Sequence, residues 1–175
     1  MKFRRAVLAG FVGGGVVILA MAIAGSLSGT DSDLCVLAGT AITGRSGAMS
    51  WLIGCLSQVV VAIIAALVYA AVFEWIVRKA GALVGLAIAV PHAVIAGIVI
   101  GSLPVRGMVD AGVSAPGAFL EYRGWAVIVT FVLAHFVFGA IVGAMYGATL
   151  HRIPSARPAW RDVTTESPDA AQRSV

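Results

Sequence analysis

Charge is what this chain has least of. Only 11% of its 175 residues are charged, eight acids against twelve lysines and arginines. A water-soluble domain carries roughly a quarter charged residues, so a soluble fold is excluded. Cysteines number two, too few for a disulfide-rich secreted scaffold, and they have no spacing that would support a two-cysteine metal site. Aromatic residues make up 8%, and no basic cluster is interleaved with stacking rings, which excludes nucleic acid as a partner. No strand-like alternation of polar and apolar residues competes with a helical reading. Enzyme signatures are missing as well. There is no His-Glu-x-x-His, no nucleophile elbow and no P-loop, so no catalytic residue is assigned.

What the chain has instead is long apolar runs. Hydrophobic residues make up 60% and the mean hydropathy is +1.00. A membrane-spanning helix needs about 20 mostly apolar residues. Four stretches meet that length: residues 6–27, 51–77, 80–103 and 125–150. The expected fold is all-α, a four-helix transmembrane bundle over residues 1–150 followed by a disordered cytoplasmic tail over 151–175. The lipid bilayer is its first partner.

Each span carries small residues at every fourth position. The first has Ala6, Gly10, Gly14 and Ala22; the second Gly54, Ala62, Ala66 and Ala70; the third Gly81, Gly85, Ala89, Ala93, Gly97 and Gly101; the fourth Gly139, Gly143 and Gly147. That spacing keeps them on one helix face. Lipid tails compete equally for Leu and Val, so helices in a bilayer associate through close backbone approach at small residues. Four such ridges also permit a homo-oligomer or a membrane-protein partner.

The basic residues give the orientation. Lys2, Arg4 and Arg5 precede the first span, Arg78 and Lys79 separate the second and third, and Arg152, Arg157, Arg161 and Arg173 follow the fourth. Only Arg45, Arg106 and Arg123 fall in the two opposite loops. The positive-inside rule places both termini in the cytoplasm, and a bacterial inner membrane is the expected location. Trp51, Tyr122 and Trp125 mark the outer boundary and Trp75 and Tyr146 the inner one. The first 24 residues, with a basic start and Ala22-Ile23-Ala24 before Gly25, also describe a cleavable signal peptide. The glycines Gly13 to Gly15 argue against it, because a signal core prefers Leu.

The connections carry further expectations. The turn at residues 78–80 predicts that the second and third spans form a hairpin of immediate neighbours. Residues 28–50, rich in Gly, Ser and Thr, read as a flexible outer loop; Asp31 and Asp33 are too few acids for calcium. The second outer loop, 102–124, mixes Pro104 and Pro116 with Met108, Val109, Phe119 and Leu120, and reads as a cap on the outer end of the bundle. Cys35 and Cys55 fall on the same outer side, where a disulfide competes with a simple buried thiol.

Few polar side chains lie inside the spans. Ser57, Gln58, His92, Thr130 and His135 are the strongly polar ones. Both histidines fall near the centres of their spans, where ionisable groups usually face protein or water. A neutral imidazole can tether neighbouring helices through a hydrogen bond, and Pro91 frees the carbonyl of Ala87 as an acceptor. Two sharper readings stand beside the tether. One is a proton or small-solute pathway through Gln58, His92, Thr130 and His135. The other is haem held by His92 and His135. An intramembrane protease using Ser57 or Ser102 lacks an oxyanion-forming loop. Glu74 and Arg78, four residues apart at the inner interface, read as a solvated ion pair.

The fourth span contains His135, Phe138-Gly139, Gly143 and Tyr146-Gly147. This His-x-x-Phe/Tyr-Gly-x-x-x-Gly-x-x-Tyr-Gly pattern resembles the closing helix of a loose group of uncharacterised bacterial four-helix inner-membrane proteins. His92 with Ala96-Gly97 and Leu103-Pro104, and the Pro116-Gly117-Ala118-Phe119 segment, are similar to the same group. The resemblance covers about half the chain and implies no activity. The sequence therefore reads as an integral membrane protein, a non-catalytic structural or interaction module without a cofactor or metal. A small transporter or channel using the histidine pair is the alternative.

Overall fold

The computed structural model describes residues 1–30, 32–103 and 105–148. The chain is all-α, with no strand among the described residues. Among the described residues, four helices are long and apolar enough to cross a membrane. Helix α1 covers Phe3–Ser28; α3 covers Ala48–Ala71 and continues as a π-helix over Val72–Val77. Helix α4 covers Ala82–Gly101 and α6 covers Trp125–Tyr146. The expected tail, His151 and Asp31 lie outside the described residues.

The small-residue ridges are spent within the chain, in pairs. A methyl group added at Gly85 would sit 1.9 Å from the carbonyl oxygen of Gly139, and one at Gly143 would sit 2.2 Å from that of Gly81. Helices α4 and α6 thus touch backbone to backbone. On the other side, Gly10 and Gly14 of α1 meet Ala62, Ile63 and Ala66 of α3. Gly13 accepts the ring of Phe138 from α6. The packing order across the bundle is therefore α3, α1, α6, α4.

That order corrects one expectation. Helices α3 and α4, joined by the shortest connection, are not packed neighbours. The wider π turn and the left-handed Arg78 (φ 56°) send the chain away from α3 before α4 begins. Their close partners are α1 and α6, whose glycines offer nearer backbone approach.

The loop between α1 and α3, expected on the outer side, is also more ordered than its composition suggests. It contains α2, Leu34–Thr43, a short apolar helix. Asp33 caps it by accepting from the backbone N–H of Cys35 (2.7 Å), and its other oxygen accepts from the indole of Trp51 (3.0 Å). Gly44, left-handed at φ 64°, ends it. A disulfide joins Cys35 to Cys55 of α3. The Asp33 carboxylate is thus engaged with protein donors rather than a cation.

The second outer loop folds over the bundle. It holds α5, Val105–Asp110, and a 3₁₀ segment, Ala118–Arg123. Met108, Val113 and Leu120 are buried there against Met21, Leu34, Leu37 and Phe131, forming an outer apolar core. An inner core gathers Ala6, Ala66, Tyr69, Phe73, Phe138 and Tyr146.

Candidate functional site

Between the two cores lies a cavity of about 560 Å³. Its walls come from all four spanning helices, and α2 roofs it with Leu34, Leu37, Ala38 and Ala41. It exists because α3 and α4 diverge. Val61 of α3 and Val99 of α4, both lining it, are more than half exposed on the apolar belt of the bundle. Its mouth therefore faces the position that lipid would occupy. Most of the wall is aliphatic or aromatic; the polar exceptions are Ser57, Gln58, His92 and His135. Among the described residues, no Lys, Arg, Asp or Glu lines it.

The two histidines lie side by side at the inner end. Their ring centroids are 5.0 Å apart, with the planes at 74°. His135 turns back on its own helix, its Nδ1 lying 2.7 Å from the carbonyl oxygen of Phe131. That oxygen can only accept, so Nδ1 carries the hydrogen and Nε2 of the neutral ring is an acceptor. His92 instead reaches across to α3, where its Nδ1 lies 3.2 Å from the Tyr69 hydroxyl. Among the described residues, no hydrogen bond reaches Nε2 of either ring, and neither nitrogen is fully buried.

The remaining polar residues divide. Gln58 lines the cavity and its side-chain amide has no hydrogen bond among the described residues. Ser57 lines it too, but donates to the carbonyl of Gly54 at 2.7 Å. Thr130 is not in the wall and donates to the carbonyl of Ala126. Ser102 donates to Ile98 within its own helix. Thus three of the four pathway residues, Gln58, His92 and His135, line one cavity, of which only the two histidines touch, and Thr130 does not line it. No His, Cys, Asp or Glu cluster suited to a metal occurs among the described residues.

Haem does not fit the histidine pair. Two imidazoles on opposite faces of one iron, with metal–nitrogen bonds of about 2 Å, have ring centroids about 6 Å apart or more along a common axis. Here they are nearer than that and edge to face. Phe131 also lies against His135, ring centroids 4.3 Å apart.

Below the histidines the bundle is closed. Tyr69 packs edge-on against both Phe73 and Phe138. Tyr146, expected at the interface, is fully buried and donates its hydroxyl hydrogen to Glu74 at 2.7 Å. Glu74 is likewise buried rather than solvated. The π turn carries the inward face of Ala66 and Ala70 on to Glu74, which explains its position. The backbone N–H of Lys2 donates to the Tyr146 hydroxyl (2.9 Å), and its ammonium group donates to the carbonyl of Ala148. Sequence spacing signals Glu74 on the ridge, but it gives no sign of Tyr146 as its partner.

Comparison with family models, with characterised proteins and with solved structures gives no match to this chain. The site must be interpreted from its own chemistry.

Proposed function

We propose that this chain is a non-catalytic binding module of the bacterial inner membrane that takes an apolar small molecule from the bilayer into its lateral cavity. The carrying observation is the cavity itself, open toward lipid between α3 and α4 and ending on His92 and His135. Its volume falls within the roughly 300–1,000 Å³ range of small-molecule pockets. An apolar wall with a few convergent polar groups is the usual composition of such sites.

A small transporter or channel is the second reading, favoured by the same histidine pair. The inner core weighs against it. Tyr69, Phe73, Phe138 and Tyr146 are all at most 2% exposed, so packed side chains lie at the histidine end, where a path between two aqueous faces would have to continue.

The disulfide supports the orientation with cytoplasmic termini, since it lies on the outer side where an oxidising compartment is expected. Retention of α1 as a spanning helix is supported by its central place between α3 and α6. The likeness of the closing helix to four-helix inner-membrane proteins agrees with this reading, and brings no activity with it.

Native mass spectrometry of the protein released from membranes tests the reading. A stoichiometric organic adduct is expected, lost in Val99→Trp, where the indole blocks the mouth. An adduct-free spectrum that apolar additives leave unchanged would overturn it.

A further inference from the structure

The cavity is unusual in what it withholds. Its described residues offer no cation to a phosphate or carboxylate head, and no anion to an amine. A charged lipid head group would enter it unpaired, at a cost that no wall residue offsets. A pure hydrocarbon would leave the Nε2 atoms of His92 and His135 and the Gln58 amide without hydrogen-bond partners among the described residues. The occupant that satisfies both conditions is uncharged, mostly apolar, and carries a small polar group at the end that meets the histidines.

The hydrogen positions narrow that group. His135 Nδ1 is fixed as a donor by the Phe131 carbonyl, so His135 Nε2 accepts. It requires an O–H or N–H from its ligand. His92 Nδ1 faces the Tyr69 hydroxyl, and when Tyr69 donates, His92 Nε2 carries the hydrogen and donates. An acceptor and a donor on rings 5.0 Å apart are the two complements of one hydroxyl group. The Gln58 amide lines the same cavity nearer α2, eleven positions before Tyr69 on α3 and so about 16 Å along the helix axis.

Resting on the binding reading above, we infer that the cavity recognises a lipid alcohol: an uncharged chain or ring system whose single hydroxyl donates to Nε2 of His135 and accepts from Nε2 of His92. The apolar body extends from the histidines past Ala62 and Ala96 toward α2, along walls whose further polar side chains are the Ser57 hydroxyl, already bonded to Gly54, and the Gln58 amide.

The chain has three histidines, which makes imidazole nitrogen resonances a direct readout. The full chain, labelled with ¹⁵N-histidine and held in lipid nanodiscs, is titrated with farnesol, with farnesyl methyl ether and with the corresponding hydrocarbon. The ether keeps the oxygen acceptor and loses the donor. Saturable shifts of the Nε2 signals of His92 and His135 with farnesol are expected, with the ether about tenfold weaker and the hydrocarbon producing none. Val99→Trp should abolish the farnesol shifts while its spectrum without ligand stays dispersed. Equal affinity for farnesol and its ether overturns hydroxyl recognition. Competitive displacement of farnesol by the hydrocarbon, with no histidine shift for any compound, overturns it too but leaves cavity binding in place. Failure of all three to bind rejects both readings, with only bridging water left at the pair.

Discussion

Tyr146 donates to Glu74 across the inner end of the bundle, joining the last described turn of α6 to the π segment that follows α3, 72 positions away in sequence. The bond adds a polar link where the two elements already meet through their rings, Tyr69 against Phe138 and Phe73 against Tyr146. Tyr146→Phe deletes the donor and leaves the buried carboxylate with one bond fewer. A loss of about 1–3 kcal/mol is expected, read as a lower unfolding temperature in detergent. Glu74→Gln keeps an acceptor oxygen for Tyr146 and should lose less.

The glycines of the α4–α6 contact are not interchangeable with those elsewhere. Gly143→Ala places a methyl group 2.2 Å from the Gly81 carbonyl oxygen and forces the helices apart. The expected cost is about 1–3 kcal/mol. Gly15→Ala in α1 meets nothing within 4 Å and should be neutral or slightly stabilising, since Ala is the better helix former by about 1 kcal/mol. Thermal melts of the two variants side by side check the contrast.

Reduction of the Cys35–Cys55 disulfide frees α2, the roof of the cavity, from α3. The bond closes a loop with a sequence separation of 20 residues, for which the chain-entropy model gives about 3 kcal/mol. A fall in melting temperature with dithiothreitol is expected, along with maleimide labelling of both cysteines only after reduction. Labelling without reductant would show the bond to be absent.

Both termini are expected on the cytoplasmic side. A fluorescent protein fused to the C-terminus should fluoresce, and an alkaline phosphatase fused there should be inactive. The reverse pattern would invert the topology and place the disulfide in a reducing compartment.

Much of the scaffold was legible in composition and spacing. Length and hydropathy located the four spans to within a few residues, and the four-residue ridges correctly marked the faces that touch. What spacing could not supply was which ridge meets which. Pairing of α1 with α3 and of α4 with α6 depends on three-dimensional fit at Gly10, Gly14, Gly85 and Gly139, and a short connection pointed to the wrong neighbours. Helix α2 was legible but unread: Asp33 before an apolar decad and Gly44 after it is a cap-to-cap signature, obscured by the surrounding Ser, Gly and Thr. At the site, residue type picked out His92, His135 and Gln58. Their convergence on one cavity followed from the splay of α3 and α4, which no local pattern encodes. Thr130 shows the other side of this limit, since its phase on α6 turns it to its own backbone.

The lateral order α3, α1, α6, α4 has a consequence for biosynthesis. A ribosome delivers the helices from the N-terminus onward, so α1 can meet α3 early, but its other flank must wait for the last span. Until α6 inserts, Gly13 has no Phe138 to receive, Lys2 has no Tyr146, and α4 has no partner for Gly85. A chain stopped before α6 therefore has neither His135 nor a closed inner end to its chamber, and it presents glycine faces to the membrane's quality-control proteases. Completion of the bundle and creation of the cavity are the same late event.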